Sequence, residues 1–167
     1  MNAGSALGRR AATGVRTTSP FLEASVLDIL QGEIGRNFEP ELSERIGQDI
    51  GFRFVTRFPV GPPPFGAPLD VLKFFCKEVW TELYGKKIDR LQTNHKGTFM
   101  LSDQTFSPLA RLKKASPIDV TRFLALHKGM IRGALSSLGV NVVDVSVQVL
   151  NIGDDSPLGC CFTVRTA

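Results

Sequence analysis

Groups able to do covalent or metal chemistry are scarce in this sequence. Two histidines and three cysteines occur among 167 residues, with one tryptophan and one tyrosine. Cys76, Cys160 and Cys161 make neither a metal-binding nor a redox spacing. In a strand, the adjacent Cys160 and Cys161 point to opposite faces and do not pair with each other. Unpaired thiols suit a reducing, cytosolic compartment. No serine or cysteine stands in a nucleophile motif, and no cluster of histidine, cysteine and acid has ligand spacing. Gly129 and Gly133 are not followed by the lysine–threonine pair of a phosphate-binding loop. Asp154-Asp155 reads as a solvated turn rather than a calcium site. No catalytic residue, metal ligand or cofactor site is therefore predicted. Long apolar runs are missing too: none approaches the ~18–20 residues of a membrane span.

Acidic residues are absent from the first 19 positions, which hold Arg9, Arg10 and Arg16. Most of the formal net charge of +4 belongs to this tail, and the rest is close to neutral. That placement argues against nucleic acid as a partner of the folded part. The tail has the composition of an organellar transit peptide, but its glycines break the amphipathic periodicity. It reads as a flexible basic extension over residues 1–22. Residues 23–167 suit one domain. The hydrophobic fraction of 43% and charged fraction of 22% are those of a globular chain, large enough to need no disulfide or metal staple.

What is present is strong periodicity. Val26, Leu27, Leu30, Ile34 and Phe38 recur at helical spacing from about Ser25 until Pro40 interrupts. Leu42, Ile46, Ile50, Phe54 and Phe58 then mark a second helix, with Glu44, Gln48 and Thr56 opposite. A proline- and glycine-rich loop, Pro59–Pro68, precedes a third helix over about Leu69–Tyr84. That helix is apolar around most of its circumference, which requires the centre of a core or a partner chain. Lys87–Thr93 and Thr98–Asp103 read as strands joined by the turn Asn94-His95-Lys96-Gly97. Residues 104–115 carry no clear signal. Ser116, Pro117 and Asp119 open a fourth helix whose apolar face includes Val120, Phe123, Leu124, Ile131, Leu135 and Leu138, and Gly139 stops it. Gly129 and Gly133 within it share one face, where a neighbouring backbone can approach closely. Alternation of Val143, Val145, Val147 and Val149, then of Leu158, Cys160, Phe162 and Val164, gives a second hairpin. The expected class is α+β, with helices on one side of a small antiparallel sheet made of two hairpins.

His95 falls in a turn and His127 between Leu126 and Lys128 on the fourth helix, both read as surface polar residues. Lys86, Lys87, Arg90, Lys96, Arg111, Lys113 and Lys114 read as a solvated face, with contact to anionic lipid as the functional alternative. No aromatic interleaving supports stacking on RNA.

Asp70-Val71-Leu72-Lys73-Phe74-Phe75-Cys76-Lys77-Glu78-Val79-Trp80, followed by Ile88-Asp89-Arg90-Leu91-Gln92-Thr93-Asn94-His95-Lys96-Gly97-Thr98-Phe99, resembles the small subunits of the transport protein particle (TRAPP), in the subunit-six branch. Ile50-Gly51-Phe52-Arg53 and Gly129-Met130-Ile131-Arg132-Gly133-Ala134-Leu135 extend the match to about residues 25–165. The resemblance implies a structural, non-enzymatic subunit that heterodimerises with a Bet-type subunit through its N-terminal helices and joins other TRAPP subunits. It implies a cytoplasmic assembly, peripheral to Golgi and ER membranes, that tethers vesicles and promotes nucleotide exchange on a Rab GTPase. On this basis the interface is expected at Leu27, Leu30, Ile34, Leu42, Ile46, Ile50 and Phe54. The acylated cysteine of the Bet-type partner has no counterpart in Pro59–Pro68, so lipidation is not carried over. The competing reading is a stand-alone small-ligand or acyl-binding domain of related fold.

Overall fold

The computed structural model describes residues 29, 31–34, 37–57, 66–112, 117–150 and 158–167, with the backbone alone at 110–112 and 117–119. The N-terminal extension, Leu27, Leu30, the cap residue Ser116 and the Asp154-Asp155 turn lie outside them. Residues 31–34 are helical. Helix α1 runs Pro40–Thr56. Pro40 therefore opens this helix at the position where proline's missing N–H costs nothing.

Helix α2 (Pro68–Phe74) continues through a π-helical turn (Phe75–Val79) into α3 (Trp80–Tyr84). The sequence anticipates this run to within a residue but not its π turn, in which the Trp80 N–H reaches back to the Phe75 carbonyl. Such turns are single-residue insertions and leave no periodic trace. The Cys76 carbonyl accepts a hydrogen bond from the Ile88 N–H (3.0 Å), tying the helix to the approach of the first strand.

Strands β1 (Arg90–Thr93) and β2 (Thr98–Asp103) form the first hairpin. Its loop is closed by the Asn94 side chain, which accepts from the Lys96 and Thr98 N–H groups at 2.8 and 3.0 Å. A 3-10 helix, Ser107–Leu112, fills part of the segment that gave no sequence signal. Helix α4 spans Pro117–Ser137. It stops at Gly139 (φ 86°), with the Val140 N–H on the Leu135 carbonyl and the Gly139 N–H on that of Ser136. This is the Schellman arrangement, which needs a left-handed residue at that point. Strands β3 (Val142–Leu150) and β4 (Gly159–Thr166) complete an antiparallel sheet of order β1-β2-β4-β3.

The α+β class and the two hairpins are as the sequence predicts. Register sets the core face of the sheet: Phe99, Leu101 and Asp103 of β2 lie opposite Val164, Phe162 and Cys160 of β4. Val145 and Val147 continue that face in β3. A register shift between Val142 and Asp144 leaves Val143 outside the alternation, 56% exposed. Leu72, Phe75, Val79 and Trp80, all fully buried, lie against this sheet with Ile131 and Leu135 of α4. The all-round apolarity of the third helix thus belongs to the chain's own core.

Helices α1 and α4 lie side by side and run parallel. A Cβ placed on Gly47 or Gly51 would strike the backbone of Leu126 or Met130, and one on Gly129 or Gly133 that of Glu44 or Gln48. The row of α1 that faces inward is therefore Ser43, Gly47, Gly51 and Val55. At the glycines no side chain intervenes and backbone meets backbone, as in small-xxx-small helix pairs. Lys128 and Arg132 of α4 reach Glu44 at 3.1 and 3.5 Å along its border.

Candidate interaction surface

Polar groups inside the core are the first place to look for chemistry. Asp103 is fully buried, fixed by its position on the inner face of β2. Its carboxylate accepts from Trp80 Nε1 (3.1 Å), Lys86 Nζ (2.7 Å) and the Thr105 N–H (3.0 Å). Lys86 also reaches Asp89 at 2.9 Å and Thr105 Oγ1 at 2.8 Å. Burial opposes charge on Lys86, but the hydrogen bonds it donates to Asp103 and Asp89 outweigh it and raise its pKa. Burial likewise opposes ionisation of Asp89, and the Lys86 and Gln104 donors prevail, lowering its pKa. Each donor and acceptor already has a partner, so this network fastens β2 to the π-helical run and leaves nothing aimed at a substrate. It also takes Lys86 out of the basic face read from sequence.

His127 is fully buried, which corrects its reading as a helix-surface residue. Its ring is boxed by Phe123 (4.8 Å), Phe106 (5.1 Å) and Tyr84 (5.8 Å), and Nδ1 shares a 2.9 Å hydrogen bond with the Tyr84 hydroxyl. Burial drives its pKa down to about 3, holding it neutral. Phe106 comes from the segment without sequence signal, so the box could not be foreseen. Burial pushes the Cys76 thiol up to about 12 and that of Cys160 higher, which disfavours the thiolate form that a nucleophile needs. All three cysteines are free and buried. His95 is an exposed turn residue, as expected, with φ 57°. Among the described residues no group of histidine, cysteine and acid could hold a metal, and no helix is long and apolar enough to cross a membrane.

Two open grooves flank the start of α2. One of about 260 Å³ is lined by Val71, Leu138, Val140 and Thr166, and the other, about 330 Å³, by Leu69, Thr93, His95 and Phe99. Both are shallow and lack convergent charge.

The surface of α1 is different in kind. Because the glycine row faces α4, the larger apolar residues are turned aside or outward. Leu42 is 42% exposed and Phe52 47%, and Phe38, two residues before the helix, is 39% exposed. Ile34, Ile46, Ile50 and Phe54 are half-buried, and Phe54 also touches the core. The sequence-predicted residues Leu42, Ile46, Ile50 and Phe54 thus form one strip between seam and solvent. Phe52 escaped the sequence reading because it falls outside the four-residue ladder. The glycines at 47 and 51 were the available signal that the ladder is not the innermost row.

A family model described as "Transport protein particle (TRAPP) component" matches residues 34–167. A trafficking protein particle complex subunit 6b from Danio rerio is 39% identical over 110 residues, 64% of this chain and 70% of that protein. The human trafficking protein particle complex subunit 6A is 37% identical over 126 residues, 72% of this chain and 78% of its own. Among solved structures, a trafficking protein particle complex subunit 3 from Naegleria fowleri, covalently bound to palmitic acid, superposes with a TM-score of 0.64. The alignment covers 88% of this chain and 96% of that one at 14% identity, a likeness of fold alone.

Proposed function

The chain belongs to the TRAPP component family, in its subunit-six branch, and from that premise we propose that it is a non-catalytic structural subunit of a vesicle-tethering assembly. In this reading it heterodimerises with a Bet-type subunit and packs with further TRAPP subunits. Nucleotide exchange on a Rab GTPase is a property of the whole assembly, at the cytoplasmic face of ER and Golgi membranes. The folded unit comprises residues 23–167, and deletion of residues 1–22 leaves partner binding unchanged.

The observation that carries this reading is the strip of α1 that the chain's own core leaves partly uncovered. Leu42, Ile46 and Ile50, with Ile34 beside them, offer large aliphatic side chains where a soluble monomer gains nothing by displaying them. Together with the helix that precedes α1 they supply part of the ~800 Å² that each partner contributes to a standard interface. The polar core supports the reading as well, because its Asp103–Lys86 network is internally satisfied.

Ile46→Asp and Ile50→Asp are each expected to abolish co-purification with a Bet-type subunit, since an unpaired charge would be buried in the joint. Far-ultraviolet circular dichroism checks that the variants fold. Undiminished co-purification by folded variants would remove the interface from this strip. Native mass spectrometry of the purified chain tests the acyl-binding alternative, which requires a co-purifying lipid mass.

A further inference from the structure

We propose that the outer edge of β3 pairs with the same edge of a second copy of this chain, antiparallel about a two-fold axis at Ser146, so that the two sheets become one. The sheet has two edges, β1 and β3, and they are unlike. β1 is four residues long and begins at Arg90, the short and charged kind of edge that discourages pairing. β3 is nine residues long and contains no lysine, arginine or proline. Its one charge, Asp144, is drawn to Arg165 of β4 at 3.1 Å. Its register irregularity lies at the start, between Val142 and Asp144, and the remainder pairs regularly with β4. An edge of this kind is a template for another strand.

The order of residues suits a copy of itself. About Ser146, Val145 comes opposite Val147, Asp144 opposite Gln148 and Val143 opposite Val149, each contact made twice. Valine meets valine, and the carboxylate meets an amide instead of a second acid. A one-residue shift would set Val145 and Val147 against serine, aspartate or glutamine. Cover from the chain itself also runs out along the strand. Val145 is fully buried, Val147 half-buried and Val149 37% exposed, and Val143 at the other end is 56% exposed. The axis at Ser146 sets these two exposed valines opposite each other, where a cross-strand contact covers both. The ladder from Asp144 to Gln148 spans about 17 Å, less than a standard interface, so the dimer is weak and concentration-dependent. It uses no residue of α1 and is independent of the heterodimer reading.

A cysteine at the axis reads this contact directly. Ser146 is exposed, and residues opposite each other on antiparallel strands have Cα atoms about 4.5–5.5 Å apart, within reach of a disulfide. The chain's own three cysteines are buried and give little background. In oxidised glutathione, the full chain carrying Ser146→Cys is expected to form a disulfide-linked dimer about tenfold faster than one carrying Gln92→Cys, an exposed position on the opposite edge. Adding Val149→Lys to Ser146→Cys is expected to return the rate to that of the control. Mixing this double variant with Ser146→Cys, Val143→Glu sets lysine beside glutamate in one pair and valine beside valine in the other. Crosslinking then recovers, which also shows that both variants fold. A Ser146→Cys rate no higher than that of Gln92→Cys overturns the proposal, as does one that Val149→Lys leaves unchanged or a mixture no faster than its components. None of these results bears on co-purification with a Bet-type subunit.

Discussion

His127 is held neutral by burial, and the consequence is a particular sensitivity to acid. The unfolded chain takes up a proton on this ring near pH 6.5, whereas the folded chain resists down to about 3. Between those values the unfolded state binds more protons, so stability falls as pH falls, by about 1.4 kcal/mol for each unit well below 6.5. Above 6.5 the effect vanishes. His127→Leu is expected to abolish this slope in urea titrations at pH 7.5 and 5.5, whatever it costs at neutral pH through the Tyr84 hydroxyl. An unchanged slope would show that other groups carry the acid response. Asp103 is the other decisive single residue. Asp103→Asn keeps its shape but loses charge-assisted bonds from Lys86, and unfolding by urea is expected to register a loss of about 1–3 kcal/mol.

The joint between α1 and α4 depends on side chains that are missing. In an isolated helix, Gly133→Ala gains about 1 kcal/mol of helix propensity. Here the new methyl group would meet the Gln48 carbonyl of α1, a backbone that cannot swing away. Overpacking of this kind costs about 1–3 kcal/mol and sometimes more, so the net sign is destabilising. Gly66→Ala is the control, because nothing lies within 4 Å of the added carbon. Thermal unfolding should separate the two variants clearly, and a neutral Gly133→Ala would mean that the helices are less closely apposed than described.

Parallel α1 and α4 stand at opposite ends of a long connection that contains α2, α3 and the first hairpin. The sheet is closed in the same way, since β2 pairs with β4 across α4 and β3. Trp80 joins the two parts, its ring edge-to-face with Phe75 of the π turn and with Phe162 of β4. As the sole tryptophan, it reports on the whole fold. Its fluorescence and the helical circular dichroism at 222 nm, the usual far-ultraviolet wavelength, are expected to share one urea midpoint, as in a cooperative single domain. Separate midpoints would show that the α1–α4 pair melts apart from the sheet.

Periodicity along the chain determined where α1, the α2–α3 run, α4 and the four strands fall, because spacings of 3.6 and 2 residues are local consequences of burying one face. It also determined the α+β class, while the residues of the Asp70–Phe99 signature, apart from any periodicity, carried the family resemblance. It left undecided which row of α1 faces inward, since glycine carries no hydrophobic signal and a seam of backbone contacts is defined by what α4 brings to it. The burial of His127 was equally hidden, because Tyr84 and Phe106 reach it from elsewhere in the sequence. So was Asp103, an acid at the end of a predicted strand until Trp80 and Lys86 fold around it. Tertiary packing alone decided these points, and in turning Gly47 inward it set Leu42, Arg45, Asp49 and Phe52 on the outside.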